Sequence, residues 1–270
     1  RGLGYVYKRQ IKDIASKIKA DNIPIIDADF HFVTPPFVDS HFHMDATLSY
    51  GLPRVNKSGT LLEGIKLWGE LKPNLTADAI KERALKFCKW AIARGTLAIR
   101  SHVDVSGQNL VGVEALLDVR ETMKDFIDIQ LVAFPQDGLL RANCLDNLNT
   151  ALDMGVDVVG GIPHFERTME EGHESIRILC EIAEKRGLLT DLHCDETDDP
   201  MSRHVEKLAL ETTRLGLKGR VAGSHLTSMH SIDNYYFTKL ISLLVEADLN
   251  IIENPLINIT IQGRQDNYPK

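Results

Sequence analysis

The chain has 270 residues, of which 43% are apolar and 26% charged, with a formal net charge of -7. That length suits one large α/β domain, and an acidic balance with interspersed charges disfavours a nucleic-acid partner while suiting a small-molecule enzyme. No apolar stretch is long enough to cross a bilayer, and no charged start leads into an apolar core as in a secretory signal. Cys88, Cys144, Cys180 and Cys194 are scattered without a C-x-x-C pair, so buried free thiols in a reducing cytoplasm are expected.

Residues 1–10 fit no element and are set aside as non-native or disordered sequence. Residues 11–35 hold two short apolar stretches, Ile23 to Ile26 and Phe30 to Val33. These are expected to pair as part of an accessory β-structure, the remnant of a small β-sandwich. From 36 to 270, strand-like runs alternate with amphipathic helical runs. Strands are expected at 37–43, 96–105, 128–135, 156–162, 188–194, 220–225 and 249–254. Helices are expected at 77–94, 110–124, 144–154, 173–186, 201–215 and 234–247. Gly95, Gly155, Gly187 and Gly216 stand where a left-handed closing residue ends a helix. Thr76 and Asp78 suit the first turn of the helix that starts near Ala77.

Strict β-α alternation implies parallel strands covered by helices. Barrels and doubly wound sheets both alternate in this way, and the polar residues separate them. His43, His102, Asp104, Gln136, His164, His193, Glu196 and His225 fall at or just beyond the C-terminal ends of successive strands. In a (β/α)8 barrel those ends converge on one mouth, whereas an open sheet spreads the first and last too far apart. The expected fold is a TIM-type (β/α)8 barrel over 36–270, incomplete at about seven strands.

In His41-Phe42-His43 the two imidazoles lie two residues apart on a strand, so they point to one side. That spacing lets both grip one metal ion. His193, on another strand with Glu196 three residues beyond it, supplies a further ligand and a candidate proton shuttle. The pattern reads as a metal-dependent hydrolase.

Taken in order, His41-Phe42-His43-Met44-Asp45, Ser101-His102-Val103-Asp104-Val105, Phe134-Pro135-Gln136, Pro163-His164-Phe165-Glu166, His193-Cys194-Asp195-Glu196, Ser224-His225 and Asn254-Pro255-Leu256 resemble the bacterial cytosine deaminases of the amidohydrolase superfamily. The similarity runs from about Ile25 to Lys270. It implies one divalent ion, Fe2+ or Zn2+, held by His41, His43 and His193; imidazole suits either. Metal-bound hydroxide would attack C4 of cytosine, releasing ammonia and uracil as in pyrimidine salvage. Glu196 is implied as the group that protonates ring N3, and His225 as the one that orients the attacking water. Gln136, the backbone of Leu61 and His164 are implied to bind the pyrimidine.

His102 and Asp104 are expected either to brace the ligands or to fill the barrel interior. Asp195, Asp198 and Asp199 are expected as solvated loop acids or helix-start acids. The family's metal site is completed by an aspartate on an eighth strand, so the chain is expected to be an incomplete piece with little or no activity. Its partner would be a small nucleobase, with no nucleic acid or membrane bound, and it would act as a cytoplasmic homo-oligomer. The H-x-E and P-C-x-x-C signature of deaminases that edit nucleic acid is absent. Rival readings are a sister enzyme acting on isocytosine, creatinine or N-alkyl triazine rings, and a non-catalytic barrel.

Overall fold

A computed structural model describes residues 13–19 and 22–263. The chain divides into two units, 1–35 and 36–270. The expectation for residues 1–10 lies outside the described residues. In the first unit, the pairing expected between 23–26 and 30–33 does not form, and the described residues of 13–35 hold no strand. A turn at Ala28 to His31 is closed by a 2.7 Å hydrogen bond from His31 N to Ala28 O. Ile25, Ile26, Phe30 and Phe32 are exposed. Two short strands bury too little to persist without a third or a covering helix, which is the physical reason that the apolar content of 23–33 was misleading.

The second unit is built on seven parallel strands: β1 (Phe37–Phe42), β2 (Thr96–Asp104), β3 (Asp128–Phe134), β4 (Val158–Gly161), β5 (Leu189–Cys194), β6 (Val221–His225) and β7 (Asn250–Ile252). They lie side by side in sequence order, from β1 to β7. The result is a nearly closed barrel of the (β/α)8 TIM type, as expected. Its helices are α1 (Leu61–Leu71), α2 (Ala77–Ala93), α3 (Val111–Met123), α4 (Cys144–Asp153), α5 (Met169–Arg186), α6 (His204–Arg214), α7 (Asn234–Ala247) and α8 (Pro255–Ile261). All seven strands fall within two residues of their expected bounds. The helices α1 and α8 were not expected.

Local chemistry accounts for the helix ends. Thr76 accepts a hydrogen bond from Ala79 N at the start of α2, and Thr168 does the same for Glu171 N at the start of α5. Thr168-Met169-Glu170-Glu171 is a capping-box pattern, which carries α5 four residues further towards the N-terminus than periodicity alone indicates. Gly187 closes α5 at φ 69°, a left-handed backbone that side chains disfavour.

The core is the shell between strands and helices. Ile99, Leu131 and Leu192 from the sheet meet Ile80, Leu116, Ile176, Leu179 and Leu208 from the helices, all essentially inaccessible. The contact of α5 with β4 is close enough that a Cβ on Gly161 would stand 2.4 Å from Leu179 Cδ1. All four cysteines are free and buried. No helix among the described residues is long and apolar enough to cross a membrane.

Candidate active site

Parallel register brings the strand ends level: His193 on β5 pairs with Ser224 on β6, and Cys194 with His225. His41 and His43 come from the end of β1, and His102 from β2. His43 Nε2 lies 3.0 Å from His193 Nε2, and His41 Nε2 lies 3.2 Å from His225 Nε2. His41, His43, His102 and His193 each place a ring nitrogen within 4.8 Å of the others, and His193, Glu196 and His225 form a second such group. The imidazoles predicted 150 residues apart in sequence therefore do meet.

Burial, followed by repulsion from neighbouring imidazoles, holds His41, His43 and His193 well below the ordinary histidine range. They are neutral at pH 7, the state that leaves a lone pair for a metal. Phe134 stacks on His193 with ring centres 4.1 Å apart and fixes its plane. Ligand nitrogens about 2.0–2.1 Å from one ion sit roughly 3 Å apart, which is the separation of His43 and His193. The donor set fits one divalent ion.

Beneath the imidazoles lies Asp191, fully buried, taking hydrogen bonds from Arg100 Nη1 at 2.8 Å and Ser224 Oγ at 2.8 Å. Burial alone would raise its carboxyl, but His102 and Arg100 bring it below the usual range. His102 is fully buried, with its Nε2 3.7 Å from Asp191 Oδ1 and its ring centre 4.4 Å from that of His41. It thus both fills the interior and backs the imidazole cluster. Asp104 does neither: its carboxylate takes Trp68 Nε1 at 2.6 Å and Lys72 Nζ at 3.2 Å.

Glu196 is buried, and burial pushes its carboxyl up to about 8. It therefore carries a proton at neutral pH. His225 Nδ1 donates to Asn258 Oδ1 at 2.9 Å, which leaves the lone pair on Nε2, facing His41. Burial pushes His225 down to about 4, so Glu196 and His225, 3.4 Å apart, are both uncharged near pH 7.

A cavity of about 630 Å³ opens over these groups, walled by Gln136, Leu61, Ile65 and Trp68 among others. The Gln136 amide has no hydrogen-bond partner among the described residues, so both of its ends remain for a ligand. His164 is not on this wall. It faces a smaller cavity of about 160 Å³ that shares Leu61, Ile65 and Glu196. Both of its ring nitrogens are unpartnered, and burial pushes it down to about 3.

Asp195 corrects the sequence reading in part. It is a helix-start acid, taking His204 N and Val205 N at 2.9 Å each, but it is wholly buried rather than solvated. Ser202 Oγ at 2.7 Å and His204 Nδ1 at 2.9 Å complete its shell. Burial would raise its carboxyl, and hydrogen bonds from His204 and Ser202 hold it below the usual range.

Sequence reasoning missed Asp45, Trp68 and Lys72. Burial pushes the Asp45 carboxyl up to about 7, and its Oδ2 accepts Asp104 N at 2.9 Å. Trp68 belongs to α1, whose start was legible in the capping-box pattern Thr60-Leu61-Leu62-Glu63; Thr60 does accept Glu63 N.

The model of an amidohydrolase family matches residues 24–270. The chain belongs to the amidohydrolase family. It is 44% identical to a 5-methylcytosine deaminase from Klebsiella pneumoniae, solved with phosphonocytosine bound. That match has a TM-score of 0.85 over 87% of this chain and 58% of the other. It is 32% identical to the N-isopropylammelide isopropyl amidohydrolase of Pseudomonas sp. (strain ADP), over 93% of this chain and 63% of that protein. It is 28% identical to a pterin deaminase from Rhizobium rhizogenes, over 86% of this chain and 53% of that protein. The chain thus spans a little over half the length of these relatives.

Proposed function

We propose that this site hydrolytically deaminates aminopyrimidines: cytosine to uracil and ammonia, and 5-methylcytosine to thymine and ammonia. The observation that carries the reading is the meeting of His41, His43, His193, Glu196 and His225 at the floor of one cavity, in a chain 44% identical to a 5-methylcytosine deaminase. Bound by His41, His43 and His193, an iron or zinc ion supplies Lewis acidity that activates water at neutral pH.

The chain's own residues do the rest. Gln136 pairs its carbonyl and amide with the N–H and C=O edge of the ring, and an analogue lacking those groups leaves it unsatisfied. The Leu61 backbone, at the start of α1, contacts the same ring. Glu196, protonated at pH 7, hands its proton to N3, then takes up the two protons that the attacking water sheds, passing one to the amine, which leaves as ammonia, and keeping the other. His225 accepts a hydrogen bond at Nε2 and orients the attacking water. His164 lines the smaller adjoining cavity beside Glu196. The apolar side chains of Ile65, Trp68 and Ile162 on the cavity wall suit a 5-methyl group, worth about 0.8 kcal/mol per buried carbon.

The same reading places the protein in the cytoplasm as a homo-oligomer. Ammonia release from cytosine and 5-methylcytosine, measured after loading with iron or zinc, tests the assignment. Release from N-isopropylammelide, isocytosine, creatinine or pterin, but from neither pyrimidine, would transfer it to a sister activity.

A further inference from the structure

The helix α1 is unusual in this barrel because none of its residues is buried, yet one of its faces walls the cavity. Leu61, Gly64, Ile65 and Trp68, spaced at three and four residues, all line it. Its apolar residues are half-buried at most, so packing holds α1 less tightly than the helices that carry a fully buried stripe. Near its N-terminus its polar ties run to its own loop: Arg54 Nη1 to Glu63 at 2.7 Å, and Ser58 N to Glu63 at 2.6 Å.

Only the C-terminal end, among the described polar contacts, is fastened to the strand ends. Trp68 Nε1 donates to Asp104 Oδ2 at 2.6 Å. Lys72, which closes α1, donates from Nζ to Asp104 Oδ2 at 3.2 Å and to Asp137 Oδ2 at 2.6 Å. The Lys72 side chain is 17% exposed and that of Asp104 7%, so water screens this bridge less than a surface pair. The two acids are themselves joined. Ser106 N donates to Asp104 Oδ1 at 2.7 Å, and Asp137 N donates to Ser106 Oγ at 2.9 Å. Asp137 directly follows Gln136, so the ring of contacts ties the apolar wall of the cavity to its polar wall.

We propose that Lys72 is a positioning residue for ring-size selectivity. By bridging Asp104 and Asp137 it fixes the gap between the apolar face of α1 and Gln136 so that a single pyrimidine touches both walls, and its loss weakens a single ring more than a bicyclic one. The cavity, at about 630 Å³, sits in the ordinary range for small-ligand sites and is roomier than one pyrimidine needs, so the placement of α1 decides which rings touch both walls. The choice of test rings rests on the deaminase reading above; the latch itself does not.

Two measurements on the zinc-loaded protein test it. In hydrogen exchange, Lys72→Met should speed the amides of α1 at least tenfold while those of β2 and β5 keep wild-type rates, and Lys72→Arg should restore most of the protection. By calorimetry, Lys72→Met should weaken cytosine about tenfold and pterin by less than about twofold, so that the preference between the rings falls about fivefold or more. Unchanged α1 exchange in Lys72→Met overturns the latch, as does equal weakening of both rings. If the wild-type protein binds neither ring, the functional reading fails and exchange alone judges the latch. Should Lys72→Met not fold, Asp137→Asn, which removes half of the bridge, is held to the same exchange criterion.

Discussion

The helices α1 and α5 begin alike and end up with opposite duties. Each opens on a threonine that caps the backbone N–H of a glutamate three residues later. From there α5 buries Ile176, Leu179, Cys180 and Ala183 against β4 and closes on a left-handed glycine, whereas α1 only half-buries its apolar residues and turns that face to a cavity. One is scaffold beneath the floor of the site; the other is a wall of its cavity. A helix start is thus written locally, but what the helix does depends on what its apolar face meets.

The largest expected effect lies at the floor. Glu196→Gln should lower kcat by about 10²–10⁴, the usual contribution of a positioned proton donor, with the metal content unchanged by elemental analysis. Loss of bound metal instead would move Glu196 from proton carrier to ligand. Next comes the scaffold beneath: Leu179→Ala should cost about 2–5 kcal/mol in urea unfolding, because Leu179 is fully buried against Gly161. On the wall, Leu61→Ala should cost less than about 0.5 kcal/mol, the range for positions away from the core, and should show itself in KM for cytosine.

The pH profile sharpens the same contrast. Since burial lifts Glu196 to about 8, kcat/KM should fall about tenfold per pH unit above that value. The sign for stability follows from a raised folded pKa. The neutral acid stabilises fully below its unfolded range, near pH 4.5, and that contribution is lost as pH rises towards about 8. Glu196→Gln should flatten this part of the stability curve, whereas Leu61→Ala should leave it in place. The smallest effect separates the two caps: Thr168→Ala should cost about 1 kcal/mol of global stability, while Thr60→Ala should register only as faster exchange in α1.

Much of this architecture can be read from the residues. Seven apolar runs, four of which carry His43, His102, His193 and His225 at or near their ends, mark parallel strands, because only a barrel brings those ends together. The wall could not be read so easily. In α1 the periodic face is apolar without being core, and the search for buried stripes passes over it although Thr60 and Glu63 announce its start. Lys72 is harder still, since its partners Asp104 and Asp137 are 32 and 65 residues away and no local pattern encodes a distant bridge. Asp195 looked solvated for a related reason: its acid neighbours Asp198 and Asp199 suggest a loop, while the donors that enclose it arrive from Ser202 to Val205. Residues 23–33 misled the other way, since β-forming composition without a third strand or a cover does not make a sheet.

The Asp195 carboxylate, gripped by Ser202, His204 and Val205, has a consequence for engineering. It draws the two ends of the segment 196–203 to one point, so Glu196 hangs from an anchored stem, and the arch beyond it has its own tie, from Gly263 N to Asp198 Oδ1 at 2.9 Å. Changes of sequence between Asp199 and Met201, which spare the Asp198 tie, should reshape the edge of the smaller cavity and leave the proton-carrying group where it stands. That arch is the place to graft new substrate preferences onto an unaltered reaction.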